Sequence, residues 1–365
     1  MSKMLAQARG KFGEGACYTV QEHERTHYGV PLDNIALEYL LCSTVLPMER
    51  VYALSGPWGS GKSALGYDLM RRVVADGNGM GSLIETENKS AVDFMRSFMG
   101  SSADLIRVHR AKSMEDGQAR FIHETGIYQA AVPNKDIPFI LVLDSLVGNK
   151  ALETVAKINK DGFADRSFSK EALIISSFFG ALNDKLIGYP IMFVFTNHEK
   201  EKISDQPIYG SKIRNPGGAA PDFHSTYHIR CVKTGSFASK LDQGFAMKLT
   251  TKKCSMGSDK RSIEVDLKWR YEADAEGHAT QISMFDWNKS TAELLAGDEV
   301  PRSVVKEIVQ VTKVTNTKFN CPTLKLKEAP PDKVGAAIME QPGICRDLRV
   351  ALGIFTHRSE VGSAD

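Results

Sequence analysis

Eight consecutive residues, Gly56-Pro57-Trp58-Gly59-Ser60-Gly61-Lys62-Ser63, fit the spacing G-x-x-x-x-G-K-[ST]. A chance match in a chain of this size is roughly a one-in-a-hundred event. Glycines at these places let backbone N–H groups converge on phosphate oxygens, and the N-terminus of a following helix adds favourable partial charge. Lys62 then neutralises β- and γ-phosphates, and the Ser63 hydroxyl suits Mg²⁺. A triphosphate site needs a further carboxylate for the metal. Phe139-Ile140-Leu141-Val142-Leu143-Asp144 offers one at the C-terminal end of an apolar run, and Asp144 would hold Mg²⁺ through water. Hydrolysis also needs a group that orients water. Glu85 and Glu87 share one face of an extended segment by its two-residue period, and Glu87 is favoured over Glu85 as the catalytic carboxylate.

These groups need elements to place them. Apolar runs at 51–55, 82–86, 105–109, 139–143 and 191–196 alternate with helical patterns, which predicts a mainly parallel sheet. The phosphate motif follows the first run and opens a helix over 64–72, as its mechanism demands. After Tyr227 the pattern changes to adjacent extended runs at 227–232, 245–251 and 262–269, an antiparallel extension of the sheet. Residues 1–30 read as a polar, glycine-punctuated arm. From about Asp286, helical fragments broken by Pro301, Pro322 and Pro330-Pro331 suggest a small subdomain.

A chain of 365 residues, 42% apolar and 25% charged, has ample material for a core, which excludes global disorder, collagen and coiled coil. No run of about 18 apolar residues is present, so a membrane span is not expected. The first residues lack the apolar stretch of a secretory signal, and the six scattered cysteines lack zinc-site spacing. A cytoplasmic location and buried thiols are therefore expected. A net charge of +2 is too small to attract polyanions by bulk field, so any nucleic-acid contact must come from local basic loops.

The wider pattern resembles RecA-type recombinases, most closely the phage strand-exchange proteins of the UvsX type. The arm Lys11-Phe12-Gly13-Glu14-Gly15 and the extended stretch after it resemble the helix and strand through which one subunit adds a strand to its neighbour. Pro31-Leu32-Asp33-Asn34-Ile35-Ala36-Leu37 resembles the entry to the phage ATPase core. Leu83-Ile84-Glu85-Thr86-Glu87 sits where the family has its catalytic glutamate, and Phe94 falls where an aromatic ring stacks on adenine. Phe94 reads equally well as a core residue beside Met95 and Phe98. Phe193-Val194-Phe195-Thr196-Asn197-His198 resembles the strand that ends in the γ-phosphate sensor, a role the resemblance gives to His198. The segment 199–216 and Gly217-Gly218-Ala219-Ala220 resemble the second DNA-binding loop and its hinge, with Lys200, Lys202, Lys212 and Arg214 around Ile208 and Tyr209. Lys157, Lys160 and Arg166 lie where the first DNA loop belongs. Thr251-Lys252-Lys253 resembles the lysine pair that reaches a neighbouring subunit's ATP, with Thr in place of the first lysine, so Lys253 is favoured and Lys252 held in reserve.

The resemblance implies an α/β fold. It consists of an oligomerisation arm (1–30), a RecA-like P-loop ATPase core (31–285) with mainly parallel sheet and antiparallel extension, and a small C-terminal α/β domain (286–365). It implies a DNA-dependent ATPase using ATP and Mg²⁺. Such a protein forms helical filaments of itself on single-stranded DNA and pairs them with double-stranded DNA, with single-strand-binding and loader proteins as further partners. Another RecA-fold ATPase, such as a hexameric helicase motor or a recombinase paralogue, shares the phosphate site. A P-loop small-molecule kinase shares it too, but leaves the long basic segment after His198 unexplained.

Overall fold

The computed structural model describes residues 29–87, 92–133, 136–148, 150–151, 168–201, 213–214, 216–238, 242–273 and 279–354, with Ala6, Gln7, Gly10 and Lys11. At 168–170, 200–201 and 213–214 the description is of the backbone.

Strand β1 (Gly29–Pro31) pairs antiparallel with β2 (Val45–Pro47) and frames helix α1 (Ile35–Leu41). Asn34 starts α1 because its side-chain oxygen accepts from the N–H groups of Ala36 and Leu37 at 3.0 and 3.2 Å. Then come β3 (Arg50–Gly56), α2 (Lys62–Arg71) with a π-helical turn over Arg72–Asp76, β4 (Met80–Glu85), α3 (Val92–Met99), β5 (Ile106–Arg110) and α4 (Met114–Ala131). These are followed by β6 (Phe139–Asp144), α5 (Phe168–Leu186), β7 (Ile191–His198), the short β8 (Lys200–Glu201) and β9 (Ile213–Arg214), and α6 (Ala220–His224). The long strands β10 (Tyr227–Ala238), β11 (Gln243–Cys254) and β12 (Ser262–Ala273) precede β13 (Ala279–Phe285).

Nine strands form one sheet in the order β13-β12-β11-β10-β3-β7-β6-β4-β5. The six from β10 to β5 run parallel, and β10 to β13 are antiparallel to one another. The central strands β6 and β7 are near-continuous apolar runs because both of their faces are covered, whereas β5 at the edge is largely exposed. By the two-residue period, Leu54, Val142 and Val194 pack towards Leu65 and Leu69 of α2, while Ala53, Leu141, Phe193 and Phe195 pack towards α4 and α5. Phe193 meets the Phe121 ring at 4.9 Å, and Phe179 meets Phe195 at 5.3 Å. Fully burying such a ring contributes roughly 1.5–3 kcal/mol.

The strands expected at 51–55, 82–86, 105–109, 139–143 and 191–196 are all present, with ends moved by one or two residues, and the three antiparallel runs are longer than expected. The sequence reading did not anticipate β13. The chain goes on into a last segment, in which Asp286 accepts from the Lys289 N–H at 2.9 Å and starts α7 (Trp287–Ala296). It continues through α8 (Arg302–Ile308), β14 (Thr312–Thr315), β15 (Lys318–Cys321), β16 (Leu326–Ala329), α9 (Pro331–Met339) and α10 (Pro342–Ala351). Prolines open α9 and α10, where a missing N–H costs nothing. The three strands make a small antiparallel sheet in the order β14-β15-β16.

This segment is anchored to the core. The Trp287 indole N–H donates to Asp68 at 3.1 Å, and Arg349 donates twice to the fully buried Glu38, each bond 2.8 Å long. Val305, Phe319, Ile338 and Leu348 belong to the same buried cluster as α1 and α2. No described helix is long and apolar enough to cross a membrane.

Candidate nucleotide site

Strand β3 carries the chain to the start of the phosphate motif. Gly56, Gly59 and Gly61 all have positive φ (152°, 70° and 84°), the region that favours glycine. At Gly56 a Cβ would also run into the Cys231 carbonyl of the adjoining strand β10. Helix α2 starts at Lys62 with Gly61 as its cap, so no side chain blocks its first N–H groups.

The loop is preset for an anion. The Ser60 hydroxyl oxygen is buried and has no hydrogen-bond partner among the described residues, which is costly unless a ligand supplies one. Lys62 is buried too, and its ammonium donates to the carbonyls of Gly56 (3.1 Å) and Pro57 (2.7 Å). Burial pushes its pKa down, against the raising pull of nearby groups that include Asp144 and Glu87. A buried cation satisfied by two neutral carbonyls gains when a phosphate replaces them.

The carboxylates stand at the C-terminal ends of neighbouring strands. Glu85 and Asp144 are register partners across β4 and β6. Asp144 accepts from the Thr196 hydroxyl of β7 at 2.5 Å. Just beyond the strands, Thr86 and Ser145 exchange two hydrogen bonds of 2.7 and 2.9 Å, which fixes Glu87 relative to Asp144. Glu87 accepts from the Ser145 hydroxyl at 2.6 Å, and its same oxygen lies 3.2 Å from His198 Nε2. Glu85 instead faces Arg110, whose Nε is 3.7 Å away. The fold thus brings Lys62, Ser63, Glu87, Asp144 and His198 to one cleft of about 490 Å³, a volume suited to a small molecule.

Trp58, 82% exposed, stands at the cleft's edge. The far wall holds Tyr67 and Phe94 on α2 and α3, then Phe245, Leu267, Trp269 and Gln281 from β11, β12 and β13. Phe94 is placed both against the core and at the cleft. It lines the cleft and also packs edge-on against Tyr67 and Phe98, with centroids 6.0 and 5.3 Å apart. Sequence reasoning missed the other wall residues. Tyr67 carries a signal, standing one helical turn after Ser63, whereas Phe245, Leu267, Trp269 and Gln281 carry none without the sheet order.

Lys252 and Lys253 do not line this cleft. Lys252 donates to Glu199 at 2.9 Å, and Lys253 to the carbonyls of Asp222 and Phe223 at 3.0 and 2.8 Å. The candidate DNA-binding residues divide. In the backbone Lys200 pairs with Arg214 across β8 and β9, so the segment starts and closes as a hairpin. Gly217 and Gly218 have φ of 102° and 77° and form the turn into α6. The Asn197 amide donates to the Pro216 carbonyl at 2.8 Å, tying that turn to the end of β7. Lys202, Ile208, Tyr209 and Lys212 lie outside the described residues, as do Lys157, Lys160 and Arg166. Helix α5 begins at Phe168, two residues after Arg166 in sequence.

Residues 1–272 match the RecA N-terminal domain family. The chain is 28% identical over 240 residues to the Protein RecA of Nocardia farcinica, covering 64% of this chain and 65% of that protein. It is 27% identical over 233 residues to that of Tropheryma whipplei, with 63% of this chain and 50% of the relative covered. To that of Listeria welshimeri it is 23% identical over 285 residues, covering 78% and 77%. The first two matches therefore span two thirds or less of the relatives' own lengths. With its phosphate loop, facing carboxylate and mixed sheet inside the matched span of about three quarters of its length, the chain belongs to the RecA N-terminal domain family.

Proposed function

We propose that the protein is an ATP-dependent recombinase that polymerises on single-stranded DNA and pairs it with a homologous duplex, with its closest likeness in the phage UvsX-type branch. The observation that carries this reading is the Glu87–His198 contact at 3.2 Å in the cleft that also holds Lys62 and Asp144. It joins a water-orienting acid to a residue at the root of the basic segment 199–216. The backbone N–H groups of residues 58–63 and the Lys62 ammonium hold the phosphates, and Ser60 donates its free hydroxyl. Ser63, and Asp144 through water, would hold Mg²⁺, which would offset phosphate charge. Glu87 orients the attacking water and accepts its proton. His198 sits where it can donate to the γ-phosphate or to Glu87, but not to both through one N–H. That exclusivity makes it a sensor of the phosphate. Phe94, backed by Tyr67, serves the adenine end of the cleft.

The division into arm (1–30), core (31–285) and C-terminal domain (286–365) belongs to the same proposal. So do the trans contact of Lys253 or Lys252 to a neighbour's ATP, and DNA contact through Lys157, Lys160, Arg166, Lys200, Lys202, Ile208, Tyr209, Lys212, Arg214 and the Gly217-Gly218 turn.

ATP turnover measured with and without single-stranded DNA tests the reading. DNA raises the rate, and equal rates would overturn it. Lys62→Ala lowers turnover by about 10²–10³-fold or more, as expected for a lost donor to developing phosphate charge. Lys212→Ala with Arg214→Ala weakens single-strand binding across sequences. With about 0.7 counterions released per phosphate contact, it also flattens the salt dependence of log K by about 1.4. An unchanged slope would remove these two residues from the interface.

A further inference from the structure

The Gly56 carbonyl is shared. It accepts from the Lys62 ammonium at 3.1 Å and from the backbone N–H of Glu199 at 3.1 Å. Gly56 opens the phosphate loop, and Glu199 is the last residue before the segment that starts at Lys200. One acceptor therefore joins the group that meets phosphate to the root of the basic hairpin.

The Glu199 side chain is fastened more firmly than a surface acid in a Glu-Lys-Glu-Lys run. It is 4% exposed. Arg230 of β10 grips both of its oxygens in three contacts of 2.8 to 3.0 Å, and Lys252 of β11 adds another at 2.9 Å. Burial alone would raise this carboxyl's pKa, but the two cations more than offset it and hold the group ionised below its ordinary value. A buried, ionised carboxylate cannot swing away from its cations without a large penalty. Displacement at the Glu199 backbone is therefore not absorbed by its side chain and passes along the chain to Lys200.

The contacts continue to the other end of the segment. The Ser55 hydroxyl lies 3.5 Å from a Glu199 oxygen and 2.7 Å from His228 Nε2. His228 Nδ1 is 3.2 Å from the Asp222 carboxylate on α6, the helix that follows the Gly217-Gly218 turn. Both ends of 200–219 are thereby tied to the strand that delivers the phosphate loop.

We propose that Glu199 is a positioning residue through which occupancy of the phosphate loop sets the ends of the basic segment 200–216. A phosphate draws Lys62 away from the Gly56 carbonyl, because a charge-assisted bond to phosphate is stronger than one to a neutral carbonyl. The carbonyl then keeps Glu199 as its donor, and the peptide turns towards it. Arg230 and Lys252 hold the side chain while this happens, so the change emerges at Lys200. The inference rests on the DNA-dependent ATPase reading and adds the residue that couples the two sites.

The test compares full-length wild type with Glu199→Gln and Glu199→Ala, measuring ATP turnover against ATP concentration and against oligo(dT). Glu199→Gln keeps the size of the side chain and one acceptor oxygen but removes the charge, so it decides the matter if the alanine variant fails to fold. The expected result is a basal kcat and KM for ATP within about twofold of wild type, with at least about tenfold more oligo(dT) needed for half-maximal stimulation. That shift lies inside the 5–150-fold range typical of coupling between sites. Basal and stimulated rates falling together would overturn the inference, since a contact that only stabilises the fold acts in that way. Stimulation of Glu199→Gln at the wild-type oligo(dT) concentration would overturn it as well, leaving the ATPase reading intact. A wild type that ignores oligo(dT) would overturn both.

Discussion

Glu87→Gln lowers ATP turnover by about 10²–10⁴-fold, the usual contribution of a positioned general base, while ATP affinity stays near wild type. Glutamine keeps the shape of the side chain and an acceptor for the Ser145 hydroxyl, now at 2.6 Å, so the Thr86–Ser145 exchange that orients this corner should persist. What it loses is the ability to take a proton from water. The nearby carboxylates make the experiment discriminating. Glu85 is the register partner of Asp144, shares a strand face with Glu87 and also lines the cleft, but it points to Arg110. Single-turnover hydrolysis of Glu87→Gln and Glu85→Gln, with equilibrium nucleotide binding on both, separates them. If Glu85→Gln suffers the larger loss, the two roles exchange. Lys62→Ala fails differently, since it removes the donor to phosphate and so weakens nucleotide affinity as well as rate.

Arg349→Ala destabilises the protein by about 3–5 kcal/mol, the penalty for stripping one partner from a buried ion pair. Glu38 lies in α1 with its side chain fully buried, and Arg349 reaches it from α10, more than 300 residues later. Burial raises the Glu38 carboxyl above its ordinary value, and Arg349 pulls it part of the way back. A folded-state pKa above the unfolded one means that the folded form holds the proton more tightly. Its stability is then fully present below the unfolded carboxylate pKa and is lost as pH rises through the raised value. Removing Arg349 takes away a lowering influence, so the deficit is largest at neutral pH and shrinks on acidification. Urea melts at both pH values check the sign. Glu38→Gln in the Arg349→Ala background should recover most of the loss at neutral pH, and failure to do so would mean that packing by the Arg349 stem is the larger effect.

The legible part of this molecule is the part written in consecutive residues. Gly56 to Ser63 carry their chemistry in their own spacing. Asp144 could be found because a fully apolar strand ends on it, whereas His198 was singled out by the resemblance of Phe193-Val194-Phe195-Thr196-Asn197-His198 to a family strand. The cleft's other wall had no such mark. Trp269 and Phe245 reach it only because β12 pairs with β11 in a register that sets Leu267 opposite Phe245 and Trp269 opposite Gln243. Strand β13 was missed because Ala279-Thr280-Gln281-Ile282-Ser283-Met284-Phe285 lies on the sheet's edge and mixes polar with apolar residues on both faces. In the C-terminal sheet all four residues of β14 are exposed, so no buried face imposes alternation. Glu199 looks like any charge in a solvated run until the fold sets Arg230 and Lys252 against it.

The central position of β3 also bears on how the protein is made. Both of its neighbours, β7 and β10, come from far downstream, the first residue pairs being Arg50 with Met192 and Tyr52 with Tyr227. Pairings so distant in the chain carry a high loop-closure cost and form late. During synthesis at about 5–20 residues per second, the strand beneath the phosphate loop waits on the order of 10–40 s for its second partner. Until then the loop has no rigid platform on which to gather its backbone N–H groups. The cost of this delay is a long interval in which apolar β3 has emerged from the ribosome before either of its partners β7 and β10 is made, which is when chaperone protection matters most.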